Sequence, residues 1–241
     1  MLVTGASRGL GEAIAELAAF RGYDVCISCR LDIDRANAVA NAVRAAGRRA
    51  LVVQADVGND ADVTRMFEQV DRELGRLDVL VNNAGISGGR TGRVDALDGD
   101  EVMRMMASNV AGPLLCSREA IRRMSTLYGG KGGSIINLSS AAGRLGGAGR
   151  NVHYAASKGA VNVMTLGLAR EVAGEGIRVN AVAPGLIDTE SQEPGRVAAV
   201  GPTVPMKRAG RPEEVAQTVL WLASDEASYV TGALIDVSGG R

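Results

Sequence analysis

The stretch Met1-Leu2-Val3-Thr4-Gly5-Ala6-Ser7-Arg8-Gly9-Leu10-Gly11 sets the reading of the whole chain. A short apolar, β-branched run ends at Thr4, and a helical pattern opens near Gly11. Between them Gly5 permits a tight turn, and Gly9 lacks the Cβ that would block an approaching anion. Gly11 lets the helix close on the strand. A helix N-terminus offers free N–H groups and a partial positive charge, so this turn suits a phosphate. The spacing is G-x-x-x-G-x-G rather than the commoner G-x-G-x-x-G. A glycine loop alone says little, because loops need glycine anyway. Its place after the first strand of a strand–helix–strand unit gives it weight.

Outward from this turn, short apolar runs alternate with longer helical patterns. Strands are predicted at Met1–Thr4, Asp24–Cys29, Ala50–Ala55, Val79–Asn82, Ser134–Leu138, Arg178–Ala183 and Leu234–Val237. Helices are predicted at Gly11–Arg21, Asp34–Ala46, Asp60–Leu74, Asp100–Tyr128, Val152–Ala173 and Pro212–Ala223. The last opens Arg211-Pro212-Glu213-Glu214, with proline at the first helical position and acids in the first turn. Such alternation implies the α/β class: a three-layer, doubly wound parallel sheet (Rossmann) of about seven strands flanked by helices. No linker, repeat or low-complexity run interrupts it, so residues 1–241 read as a single domain.

In such sheets ligands bind beyond the carboxyl ends of the strands. Thr4-Gly5 ends the first strand and Asn82-Asn83-Ala84-Gly85 the fourth. Ser139-Ser140 ends the fifth and Pro184-Gly185 the sixth. Four separate loops therefore meet on one edge.

Composition narrows the function. The 27 Lys and Arg balance the 27 Asp and Glu, which argues against a nucleic-acid binder that tracks phosphates. Aromatic residues make up 3% of the chain, too few for a base-stacking surface. His153 is the only histidine, and the cysteines are Cys26, Cys29 and Cys116, so no metal site is expected. Cys26 and Cys29 form a CxxC, but on a strand residues three apart point to opposite faces. No apolar run reaches the roughly 18 residues of a membrane helix, and no secretory leader is visible. A cytoplasmic protein with a small-molecule substrate is expected, without nucleic-acid or membrane partners.

The second strand ends Cys29-Arg30. A carboxylate there would bind the ribose 2′-OH of NAD and repel a 2′-phosphate. None is present at Cys29, whereas Arg30 follows and Arg8 sits in the glycine turn, which favours NADP with NAD still possible.

Tyr154-Ala155-Ala156-Ser157-Lys158 places a phenol and an ammonium at i and i+4, on one helical face. Lowering a phenol from a pKa of about 10 to about 7 takes roughly 4 kcal/mol. A cation about 4 Å away at an effective dielectric of about 20 supplies that amount. Tyr154 is therefore cast as acid/base and Ser140 as hydrogen-bond donor to a carbonyl oxygen.

At this point the chain resembles the short-chain dehydrogenase/reductase family, in its compact single-domain branch. The matching motifs are Thr4-Gly5-x-x-x-Gly9-x-Gly11, Asp56-Val57, Asn82-Asn83-Ala84-Gly85, Asn109, Ser140, Tyr154-x-x-x-Lys158, Pro184-Gly185 and Thr189. They run in family order over nearly the whole chain. The resemblance implies that Asp56, with Val57 beside it, binds the adenine amine. It implies that Asn82, Ala84 and Gly85 pack against the adenosine ribose and the middle of the cofactor. Asn109 is expected to hold a water linking Lys158 to solvent, and Lys158 to bond the nicotinamide ribose. The Ile187 backbone and Thr189 hydroxyl are expected to fix the carboxamide. The resemblance also implies that Ser140 orients the substrate oxygen and that Tyr154 passes the proton as hydride moves at nicotinamide C4.

There are departures. Ser140 stands 14 residues before Tyr154, one more than in most members, with Ser139 as the alternative. The first strand is short. The lid, expected over 186–210, looks brief between Asp188 and Gly195.

The expected substrate walls, Ser87–Arg93, Ala141–His153 and the lid, hold no aromatic residue, which suits a small polar carbonyl or sugar alcohol. The C-terminal half is similar to glucose 1-dehydrogenase-like members, with 3-oxoacyl-[acyl-carrier-protein] reductase as the alternative. The latter needs a basic patch, for which Arg122, Arg123, Lys131 and Arg144 are candidates. A non-catalytic cofactor-binding regulator should have lost Tyr154 or Lys158. His153 reads as a solvent-facing residue at the helix start. The family usually forms tetramers through its long helices, here with Met103, Met106, Val110, Leu114, Val161, Met164 and Leu168 as interface candidates.

Overall fold

The computed structural model describes residues 1–86 and 92–241. Along the chain run β1 (Leu2–Val3), α1 (Gly9–Phe20), β2 (Val25–Cys29), α2 (Ile33–Ala45), β3 (Ala50–Gln54), α3 (Asp60–Glu73) and β4 (Val79–Asn82). Then follow α4 (Gly99–Met106), α5 (Gly112–Met124), β5 (Gly133–Leu138), α6 (Ala142–Leu145), α7 (Val152–Val172) and β6 (Ile177–Pro184). The chain closes with α8 (Arg196–Val200), α9 (Pro212–Ala223) and β7 (Leu234–Val237). All strands pair in parallel in one sheet, in the order β3-β2-β1-β4-β5-β6-β7. The winding direction reverses between β1 and β4, and a cleft opens beyond that switch point.

Every predicted strand is present. β1 is the shortest, but the Thr4 N–H extends its pairing to Val81 O (3.0 Å) and the Ala6 N–H to Ser28 O (2.9 Å). Strand alternation separates the core into two layers. Val3, Ile27, Val81 and Ile136 face α1, α2 and α9, while Leu2, Cys26, Leu80 and Ile135 face α3, α5 and α7. Phe67 on α3 is fully buried in the second layer, which stabilises the fold by about 1.5–3 kcal/mol. Helix starts follow local chemistry. Asp32 caps α2 and Asn59 caps α3, and in α9 Glu214 accepts the Arg211 N–H behind Pro212.

The helix predicted over Asp100–Tyr128 is not continuous. A π-helical turn, Ala107–Ala111, separates α4 from α5, and a 3-10 turn, Thr126–Tyr128, follows. Pro113 explains the break. It has no N–H to give the carbonyl of Asn109 four residues earlier, and the Gly112 N–H reaches back five residues to Ala107. Among the described residues no helix is long and apolar enough to cross a membrane.

Candidate active site

The cleft has a volume of about 700 Å³ and lies along the carboxyl ends of β1, β2, β4, β5 and β6. Gly5, Ser7, Arg8, Gly9 and Leu10 form its floor. Gly5 and Gly9 are left-handed, with φ of 62° and 61°. A Cβ on Gly5 would come 2.8 Å from Ala84 Cα. One on Gly9 would meet nothing nearer than the Thr189 methyl, at 3.8 Å, so it would project into the cleft. Gly11 lies beneath the cleft. A Cβ there would meet Asn83 Nδ2 at 2.5 Å and Gly5 O at 2.6 Å, so Gly11 closes the helix on the turn and Asn83 rather than on the strand. No side chain caps α1, which leaves the first N–H groups of the helix for a ligand.

Asn82, expected against the ribose, is a correction. Its side chain is buried behind β4, where it donates to Asn137 Oδ1 (2.9 Å) and Ser117 Oγ (3.2 Å). Asn83 lines the cleft instead, and its amide donates to the carbonyls of Thr4 and Gly5, both at 2.9 Å. The Thr4 hydroxyl accepts the N–H groups of Asn83 and Ala84, each at 3.0 Å. These bonds staple the glycine turn to the β4 loop, and neither Asn83 nor the Thr4 hydroxyl had been singled out as a site residue.

At the β2 end, Arg30, Asp56 and Val57 line the cleft. Arg30 Nη1 lies 3.6 Å from the Asp56 carboxylate. Asp56 is held in place by the Gly58 N–H on its Oδ1 (2.9 Å), and its own N–H donates to Asp62. Cys26 and Cys29 fall in opposite core layers, so they form no pair. Burial pushes the Cys26 thiol up to about 12, which leaves it inert.

At the other end Ser140, Tyr154 and Lys158 line the cleft together. The Ser140 hydroxyl accepts the Ala142 N–H (3.1 Å), and it weakly favours ionisation of the Tyr154 phenol. Ser139 is committed elsewhere, donating to Asn162 Oδ1 (2.5 Å) with Lys158 O 3.2 Å away. The long Ser140–Tyr154 spacing is taken up by α6 and by left-handed glycines at 146, 147 and 149. Lys158 Nζ donates to Leu138 O (2.7 Å) and stands 5.8 Å from the centroid of the Tyr154 ring. The ammonium faces the ring, and burial acts on both groups. It raises the Tyr154 phenol, opposed by the weaker effect of Ser140, and lowers Lys158 to about 8.

Asn109 sits outside the cleft wall, 1% exposed, behind Gly85. Its Oδ1 accepts the Ile86 N–H (2.7 Å), and its Nδ2 donates to Ile86 O (2.9 Å) and Ser157 Oγ (3.1 Å). Ser157 in turn donates to Tyr154 O (2.7 Å). The side chain thus secures the β4 loop to α7, while Pro113 deprives the Asn109 carbonyl of its α-helical partner.

Pro184, Gly185, Ile187 and Thr189 line the remaining wall. A Cβ on Gly185 would come 2.8 Å from Ser238 Cα. The segment 186–210, expected as a lid, leaves and returns at one point, where Asp188 N–H donates to Gly210 O and Gly210 N–H to Leu186 O, both at 2.9 Å. Glu190, Ser191 and Gln192, within the expected lid, also line the cleft. His153 does not face solvent. It is buried against α4, its Nε2 3.8 Å from Glu101 Oε1. Residues 87–91 of the expected substrate wall lie outside the described residues.

The floor, the uncapped helix and the cleft from Arg30 to Tyr154 fit a nicotinamide dinucleotide. Residues 5–241 match a family model described as enoyl-(acyl carrier protein) reductase. The chain belongs to the short-chain dehydrogenase/reductase family. It is 48% identical to an uncharacterized oxidoreductase, YgfF, of Escherichia coli, over 100% of this chain and 98% of that protein. It is 38% identical to the 3-oxoacyl-[acyl-carrier-protein] reductase FabG of Staphylococcus aureus, over 99% and 96% of the two chains. A short-chain dehydrogenase from Burkholderia cenocepacia, solved in complex with NADP, superposes with a TM-score of 0.92 at 35% identity, covering 99% of this chain and 96% of that one. This short-chain dehydrogenase/reductase is an oxidoreductase of a family that uses NAD(P).

Proposed function

We propose that this enzyme is NADP-preferring and interconverts a carbonyl and a secondary alcohol on a small polar substrate, glucose 1-dehydrogenase-like in type. The observation that carries the reading is the convergence of Ser140, Tyr154 and the buried Lys158 at one end of a cleft whose other end is a glycine turn at a helix N-terminus. The nicotinamide, when bound, supplies or accepts the hydride at C4. Ser140 donates a hydrogen bond to the substrate oxygen, and Tyr154 delivers its proton there or removes one. Burial favours the neutral phenol, so Tyr154 is poised to donate. Lys158, with Nζ fixed by Leu138 O, holds the ribose and supplies positive charge near the phenol. Asn109 positions the β4 loop, and its freed carbonyl is the place for the relay water.

Arg8 and Arg30, the missing carboxylate at Cys29 and the NADP-bound relative support the preference for NADP. Pro184, Gly185, Ile187 and Thr189 serve the nicotinamide end, with 186–210 as lid of a single domain. The likeness to FabG supports 3-oxoacyl-[acyl-carrier-protein] reduction as the second reading. The proposed basic patch does not strengthen it. Arg122 and Arg123 are paired with Glu119, and Arg123 also with Asp71, at the end of α5 that leads into the start of β5, away from the cleft. Arg144 is paired with Asp236.

We place the enzyme in the cytoplasm as a homotetramer. Exposed Met103, Leu114, Val163 and Leu166 on α4, α5 and α7 supply apolar surface for an interface, whereas Val161, an expected contact, is buried in its own subunit. A monomer by light scattering would reject the tetramer. For the reaction, a panel of carbonyls and sugar alcohols is assayed with NADPH and NADP by nicotinamide absorbance. Turnover of small polar substrates with NADP favoured is expected. Activity on acyl thioesters alone would give the function to the second reading, and no turnover of any carbonyl or alcohol would remove the catalytic one.

A further inference from the structure

The lid carries a carboxylate into the cleft that the proton and hydride chemistry does not use. Glu190 lines the cavity, and its Oε2 lies 2.5 Å from Nη1 of Arg35 in the first turn of α2. Arg35 is held from the other side by Asp32, with Nε 3.4 Å from Oδ2. Asp32 lines the cavity beside Arg30, and its Oδ1 caps α2 by accepting the Arg35 N–H (3.1 Å). The Arg35–Glu190 pair therefore joins the lid to the β2–α2 corner at the end of the cleft where Arg8 and Arg30 lie. Arg35, and more weakly Arg8, hold the Glu190 carboxyl below its ordinary range, so it stays charged at neutral pH.

Two properties make this pair exchangeable. Its side chains are 47% and 63% exposed, so it is screened and contributes little to stability. A guanidinium also matches a phosphate at least as well as it matches a carboxylate. We propose that Glu190 is a resident counter-ion that Arg35 exchanges for the 2′-phosphate of NADP, which makes Arg35 a third determinant of cofactor choice beside Arg8 and Arg30. The proposal rests on the reading of this cleft as an NADP site. A cofactor without the 2′-phosphate offers Arg35 no replacement anion, so the lid keeps its bond to α2. In this arrangement Glu190 sets the threshold for NADP, and Arg35 provides the discrimination.

The test is calorimetric titration of the full chain with adenosine 2′,5′-bisphosphate and with 5′-AMP, which differ only in the 2′-phosphate. Glu190→Gln is expected to tighten the bisphosphate about two- to fivefold, the range of an exposed ion pair, and to leave 5′-AMP unchanged. Arg35→Gln is expected to weaken the bisphosphate alone, and the gain from Glu190→Gln is expected to vanish in the double variant. Equal tightening of both ligands, no tightening, or a gain that survives Arg35→Gln overturns the proposal. Wild-type protein that binds both ligands equally removes the NADP reading, and the proposal with it. Both side chains are exposed, and unchanged thermal midpoints would confirm that the variants fold.

Discussion

The two walls of the cleft are built from different chemistry. The wall of β1, α1 and the β4 loop is backbone. Gly5 and Gly11 bring the chain close to Ala84 and Asn83, Gly9 leaves the cleft open, and the side chains of Thr4 and Asn83 serve to hold main-chain groups. The wall of β5 and α7 is side chain. Ser140, Tyr154 and Lys158 present a hydroxyl, a phenol and an ammonium, and the last is buried at a cost to the fold. The first wall should be intolerant of a single Cβ, and the second should yield stability when its chemistry is removed.

The largest effect on stability is expected at Gly5. Gly5→Ala forces a left-handed residue with a side chain to within 2.8 Å of Ala84 Cα. A loss of about 2–4 kcal/mol in unfolding free energy is expected by denaturant titration. A wild-type midpoint would show that the backbone wall has room to spare.

Lys158→Met probes the other wall with the opposite sign. Burial lowers Lys158 from 10.5 to about 8, so the folded chain releases a proton that the unfolded chain keeps. The penalty is fully present below about pH 8 and fades as pH rises toward 10.5. Removing the charge is expected to raise stability at pH 7 by about 1–3 kcal/mol, less whatever the Leu138 bond contributes, while turnover collapses. The gain should be gone near pH 10.5. A destabilised variant at pH 7 would mean that the Leu138 bond outweighs desolvation.

The smallest effect is expected at the exposed β2 corner. Arg30→Ala should raise the NADPH dissociation constant about fivefold relative to that of NADH, equivalent to about 1 kcal/mol. Equal changes for both cofactors would leave Arg30 as a partner of Asp56 alone.

The backbone wall was largely legible in the sequence because its determinants are local. Glycines at fixed offsets after a short apolar run dictate the turn, and strict alternation of strand and helix dictates the sheet. The side-chain wall was legible in identity but not in direction. Spacing put Tyr154 and Lys158 on one face, yet only packing could send Nζ to Leu138 O and the ring face. Asn82 and Asn83 are adjacent and chemically identical, and the pleat of β4 decides which one reaches the cleft. Pro113 was a readable sign of the break at Asn109, because a proline deletes the bond four residues back. Glu190 and Arg35 are 155 residues apart, and no local pattern joins them.

The central claim is that binding and proton transfer reside on separate walls, and Tyr154→Phe tests it most directly. NADPH binding by calorimetry and carbonyl reduction by absorbance are measured on the same preparation. Turnover is expected to fall by about 10²–10⁴-fold or more, with the NADPH dissociation constant within about threefold of wild type. Turnover that persists near the wild-type rate would contradict the account.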